Sequence, residues 1–120
     1  MGYRLISYGE AKELLAREEY KYLVGWYAFE ASAKYYCRQV DGGELVCLKI
    51  WVGGGGKGGA LFRGSPEEVC AWLRRDVGVL ELEEIIIALW RNFGAVVDPG
   101  KIGSAYKSIK SMLRKVLGVG

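Results

Sequence analysis

The stretch WVGGGGKGGALF, residues 51–62, constrains this chain more than any other. Six of the seven residues from Gly53 to Gly59 are glycine, and the seventh is Lys57. Glycine loses more backbone freedom on folding than any other residue, so the run opposes helix. Its flanks, Leu45–Val52 and Ala60–Arg63, are apolar and β-prone. The segment therefore predicts strand, loop, strand. A Walker A loop is excluded, because Trp51 stands where its first glycine belongs and Gly58 where its hydroxyl belongs. Gly54, Gly56 and Gly59 meet the dinucleotide spacing trivially, and no helix opens after them to receive a pyrophosphate. What remains is a mobile loop tipped by one cation. It reads either as a flap against a phosphate backbone or as a plain flexible connection.

Other elements follow from local signals. Ser7-Tyr8-Gly9-Glu10 has the pattern of a capping box and opens a helix at about 8–19. Tyr22–Glu30 and Ala33–Val40 read as strands, and Asp41-Gly42-Gly43-Glu44 as the turn into Leu45–Val52. Ser65-Pro66-Glu67-Glu68 combines a cap, a proline at the first helical position and a closing glutamate. That helix carries Val69, Trp72 and Leu73 on one face and stops near Gly78. Leu82, Ile85, Ile86, Leu89, Trp90 and Phe93 mark another helix, ended by Gly94. Asp98-Pro99-Gly100 is a turn, and a last helix runs over about 104–117. At 120 residues the chain predicts one domain, 1–120, of α+β class. Its small antiparallel β-sheet of about four strands is backed by helices on one face, in the order helix, strands, three helices.

An even-numbered turn between Ala33–Val40 and Leu45–Val52 sorts their side chains into two sets. Tyr35, Cys37, Gln39, Val46, Leu48, Ile50 and Val52 share a core face. Lys34, Tyr36, Arg38, Cys47, Lys49 and Trp51 share the other, with Tyr36 opposite Lys49 and Lys34 opposite Trp51. Rings interleaved with cations on an open sheet face suit a single-stranded nucleic acid, because bases stack on the rings while Lys and Arg meet phosphates. Trp26, on the first strand, and Phe62, after the loop, are further stacking candidates. The structural alternative is an ordinary solvated face kept soluble by its lysines.

Charge supports a polyanionic partner more than the net value of +3 does. Residues 31–64 carry five basic and two acidic groups, and residues 99–120 carry five basic and none acidic. Residues 65–98 reverse this, with three basic and seven acidic. Lys107, Lys110 and Arg114 share one side of the last helix, with Lys115 at its margin, as in a solvated face or a basic contact helix. Glu81, Glu83 and Glu84 suit the first turn of their helix electrostatically and need no acid–base role. Ile87, off the main stripe, marks a second apolar surface for self-association.

Catalysis finds no support: histidine is absent, and neither a nucleophile elbow nor informative carboxylate pairs occur. No metal or other cofactor is expected, since the thiols are scattered and form no C-x-x-C. Cys37, Cys47 and Cys70 read as buried, reduced thiols in a cytoplasmic setting. No signal peptide or membrane span is expected. One Asn and one Gln against 31 charged residues fit a protein from a hot environment.

With its helix–sheet–helices order, with Trp26, Tyr36, Trp51 and Phe62 on or near the sheet and with Lys34, Arg38 and Lys49 between them, the chain resembles the archaeal ThermoDBP-like single-stranded DNA-binding proteins. The resemblance is architectural, covers about residues 8–117 and rests on no signature motif. It implies an aromatic and basic cleft on a helix-backed sheet. Founding members of that family dimerise through a long C-terminal zipper helix, whereas here the last helix is short and basic. The expectation is a nucleic-acid-binding protein, not an enzyme, that prefers single strands of DNA or RNA. Tyr36 and Trp51 would stack bases, aided by Trp26 and Phe62, and Lys34, Arg38, Lys49 and Lys57 would meet phosphates. The alternative is a protein-interaction or assembly module.

Overall fold

A computed structural model describes residues 1–118. Its framework is one antiparallel sheet of five strands: β1 (Gly2–Ile6), β2 (Lys21–Ala28), β3 (Ala31–Gln39), β4 (Leu45–Gly53) and β5 (Gly56–Gly64), in the spatial order β1-β5-β4-β3-β2. The helices are α1 (Tyr8–Arg17), α2 (Pro66–Asp76), α3 (Leu82–Phe93) and α4 (Ile102–Leu117). The α+β class stands, with two differences from expectation. β1 precedes α1 and gives the sheet a fifth strand; it pairs along the outer edge of β5, which starts at Gly56 rather than Ala60. The helices also cover both faces. α1 lies on β4 and β5 from one side, while α2, α3 and α4 pack together and meet the sheet from the other.

Local chemistry explains the ends of the helices. The Ser65 hydroxyl accepts from the Glu68 N–H at 3.2 Å, and the Glu68 carboxylate accepts from the Ser65 N–H at 2.8 Å, so this capping box is complete. At α1 only half the box forms. Ser7 accepts from the Glu10 N–H, but the Glu10 carboxylate turns away to Arg4 at 3.3 Å. Gly94 ends α3 with φ +65.

The glycine run is a tight hairpin, where an open strand–strand loop was expected. Gly53 pairs with Gly56, leaving Gly54 and Gly55 as a two-residue turn with φ +59 and +78. Positive φ at both central residues matches the right-handed twist of the flanking strands. The later glycines sit inside β5 and answer to packing. A Cβ on Gly58 would lie 2.8 Å from the Trp51 indole nitrogen, and one on Gly59 would lie 2.8 Å from the Ala11 Cβ of α1. The run thus closes a hairpin, holds a tryptophan on one face and admits a helix on the other.

The β3–β4 register also differs from expectation. Gln39 pairs with Leu45, so Val40–Glu44 form a five-residue connection, an odd number. Tyr36 then faces Leu48, and Lys34 faces Ile50, while Tyr35 faces Lys49 and Ala33 faces Trp51. A one-residue slip sends one strand's side chains to the opposite face. The expected grouping of Tyr36 with Lys49 and Trp51 is therefore broken.

The core lies between the sheet and α2. Trp72 stacks on Phe62 with centroids 5.0 Å apart and planes 6° apart, and meets Tyr35 and Tyr3 edge-on at 5.7 and 6.4 Å. Cys37 and Cys47, directly opposite on β3 and β4, form a disulfide within this core, which corrects the expectation of three free thiols. Cys70 is free and buried. Trp90, expected on the core stripe of α3, is 60% exposed, while Ile85 and Leu89 are buried. Among the described residues no helix is long and apolar enough to cross a membrane.

Candidate nucleic-acid interface

α1 covers β4 and β5 but leaves β2 and β3 uncovered on its side of the sheet. The alternation of β3 brings Ser32, Lys34, Tyr36 and Arg38 to this open half, because their partners Val52, Ile50, Leu48 and Val46 lie on the α1 side. Lys34 and Arg38 are four residues apart, so the Lys-Tyr-Arg row spans about 13 Å. α1 walls the row with Tyr8, Lys12 and Leu15, spaced i, i+4, i+7 on one helical stripe. Together with Ser32, Lys34, Tyr36, Ile50, Trp51 and Val52 they line a groove of about 150 Å³ that has no carboxylate in its lining.

The opposite wall is β2. Tyr22 is 53% exposed and meets Tyr36 edge-on, with centroids 5.6 Å apart. Its ring lies along its own strand over Gly25, where a Cβ would come 2.7 Å from the Tyr22 hydroxyl. Cations bracket this aromatic floor. At the hairpin end, the Lys57 ammonium lies 4.9 Å from the centre of the Tyr8 ring, and Lys12 lies 5.7 Å from the same centre. At the far end, the Arg38 guanidinium lies 5.5 Å from the Tyr20 ring centre, and its buried Nε has no hydrogen-bond partner. The Arg38 charge is thereby held against a ring at this end of the row.

Four of the eight expected residues therefore share this side of the sheet: Lys34, Tyr36, Arg38 and Lys57. The other four lie on the helix-packed side, and for Lys49 and Trp51 the reason is the odd connection. Phe62 is 1% exposed and stacked on Trp72, so no base can reach it. Lys49 reaches under α2 to the Asp76 carboxylate at 2.8 Å. Trp51 borders the groove, but its indole lies against Gly58 on the far face. Trp26 pairs with Ala33 on that far face and packs against the core. Tyr8, Lys12, Tyr20 and Tyr22 went unexpected. The stripe Tyr8, Lys12, Leu15 was visible in the sequence, but its place beside Lys34 depends on tertiary packing.

The helix-packed face holds its polar groups internally. The Tyr35 hydroxyl donates to Asp76, which also receives Lys49. Burial, and secondarily the Asp76 charge, hold the Tyr35 hydroxyl well above its usual range, so it stays protonated. This cluster ties α2 to the sheet and offers no activated nucleophile. No group of three metal-ligating side chains occurs among the described residues. No protein-family model matches the sequence, and comparison with curated proteins and with solved structures returns no match.

Proposed function

We propose that the protein binds single-stranded nucleic acid, with low sequence specificity, in the groove between α1 and β2. The observation that carries this reading is the Lys34-Tyr36-Arg38 row on β3, with Lys34 exposed and Tyr36 and Arg38 half-buried, and Tyr22 against Tyr36. Lys34 and Tyr36 share with Tyr8 and Lys12 a hollow that has no carboxylate in its lining, and Arg38 lies beyond it, beside Glu18 and Glu19. Tyr36 and Tyr22 offer ring surface to bases, and each stacked base contributes about 1–3 kcal/mol. Lys12, Lys34, Arg38 and Lys57 meet phosphates. The same function is implied by the resemblance to ThermoDBP-like proteins, though with different residues from those first expected. The groove holds no paired acid and base, so the reading is a binding protein and not an enzyme.

Titration of a fluorescent single-stranded oligonucleotide and the matching duplex, at several salt concentrations, tests the proposal. The single strand should bind more tightly. With four phosphate contacts, log K against log salt should fall with a slope of about −3. Absence of binding at low salt, or a slope near zero, would overturn phosphate-led binding.

A second reading, a protein-assembly module, draws on α3, where Ile87 and Trp90 are 47% and 60% exposed. It predicts self-association by light scattering that Ile87→Lys abolishes and that Lys34→Glu leaves unchanged.

A further inference from the structure

The β2–β3 hairpin turns on Phe29 and Glu30, the two residues beyond the Ala28–Ala31 pair. Phe29 has φ +56, the left-handed region, and is the one non-glycine residue in the chain found there among the described residues. Gly, Asn or Asp normally takes this place in a two-residue turn, and a bulky residue there is strained. The ring is also 93% exposed. It therefore recovers almost nothing by packing within the chain. The strained backbone opposes folding, and the solvent-facing ring, as exposed as in the unfolded chain, contributes nothing to offset it. Strain of this kind clusters where the chain meets a ligand.

The tip stands at the mouth of the groove. Antiparallel pairing puts the β2–β3 and β4–β5 turns at the same end of the sheet, and the two hairpins abut: a Cβ on Gly53 would lie 2.5 Å from that of Ala31. One row of paired residues crosses the sheet just inside this end, from Tyr27 through Ser32 and Val52 to Lys57. Tyr27 is 78% exposed, Ser32 lines the groove, and Lys57 lies over Tyr8 at its wall.

We infer that Phe29 is a stacking post for an unpaired base where the strand leaves the groove at the hairpin end. This rests on the groove reading above and adds a residue and a selectivity to it. Glu30, exposed beside the ring, repels phosphate, so the tip acts by stacking and not by charge. A base in a duplex has both faces stacked on its neighbours and none free for the ring. Phe29 thus favours single strands over duplexes without adding to the salt dependence.

The test uses the full chain with Phe29→Gly, Phe29→Leu and Phe29→Trp, each measured for thermal stability and for binding of single-stranded and duplex oligonucleotides across a salt series. Phe29→Gly removes the strain, so its Tm should equal or exceed the wild-type value. Its single-strand affinity should drop roughly 5- to 150-fold, as expected for losing one stacked base, with the salt slope unchanged. Phe29→Leu should lose nearly as much, and Phe29→Trp should keep wild-type affinity. Wild-type affinity in Phe29→Gly would overturn the stacking post while leaving the groove reading intact. A lower Tm in Phe29→Gly would overturn it as well, by showing that the ring stabilises the fold. If the wild-type protein binds neither strand, the groove reading fails first and the post fails with it.

Discussion

The two faces of one sheet treat their aromatic residues in opposite ways. On the side of α2, Phe62, Tyr35 and Trp72 are all but fully buried and locked ring against ring, and the one ion pair, Lys49–Asp76, is closed by the Tyr35 hydroxyl. On the side of α1, Tyr22 and Tyr27 stand largely in solvent, and Lys12, Arg38 and Lys57 lie over rings, while Arg4 on β1 and Arg63 on β5 pair with Glu10 and Glu44. Residue type does not separate the two, since both carry Tyr, Lys and aliphatic side chains. The difference is cover: a three-helix layer needs an apolar face to bury, whereas the single short α1 reaches only two strands. The same side chain therefore stabilises the fold on one side and is available to a ligand on the other.

The sharpest way to break this comparison is to truncate one ring on each face. Trp72→Ala should destabilise by about 3–5 kcal/mol, because it empties the stack between Phe62, Tyr35 and Tyr3. Urea unfolding would check this, and a loss below about 1 kcal/mol would contradict a core organised on Trp72. Tyr36→Ala should weaken single-strand binding by about 1–3 kcal/mol while shifting the unfolding midpoint far less than Trp72→Ala does.

A smaller contrast separates the two lysines that one expected face held together. Lys49→Met strips Asp76 of its ammonium in a partly exposed setting and should lower stability by about 1–2 kcal/mol, with nucleic-acid binding unchanged. Lys34→Met should leave stability unchanged and reduce the salt slope of binding by about 0.7. Equal effects of both on binding would show that the ligand straddles the sheet edge.

The mildest effect is on alkaline pH. Burial, and secondarily Glu67, push the Cys70 thiol up to about 11, and Tyr35 is also held above its usual range. Both pKa values are raised on folding, so their contribution is complete at neutral pH. Unfolded Cys70 loses its proton near pH 9 and unfolded Tyr35 near pH 10 while the folded groups keep theirs. Stability should therefore fall as pH rises from about 9. Urea midpoints at pH 8, 9.5 and 10.5 check the trend. Cys70→Ala should flatten its lower part and Tyr35→Phe its upper part.

Much of the secondary structure was legible in short stretches. Ser65-Pro66-Glu67-Glu68 starts α2 because its caps are local hydrogen bonds, and Gly94 ends α3 because a left-handed residue is a local demand. β1 was not legible. Gly2–Ile6 is a five-residue edge strand whose pairing surface is supplied by β5, a partner more than fifty residues away. Of the candidate site, the basic and aromatic character of Lys34, Tyr36 and Arg38 was readable from their alternation. Their neighbours were not, because Tyr8 and Lys12 come from a helix earlier in the chain and Tyr22 from the adjacent strand.

By itself the sequence determined where this chain turns, caps and alternates, since those choices depend on neighbours within a few residues. It also determined that cations and rings would be interleaved somewhere on a sheet. Which rings would meet which cations was decided by tertiary structure. The five-residue Val40–Glu44 connection sets the register by one odd residue, and a side-chain period of two converts that single residue into a change of face. The placement of α1 over β4 and β5 then leaves β2 and β3 as the half of the sheet that remains open.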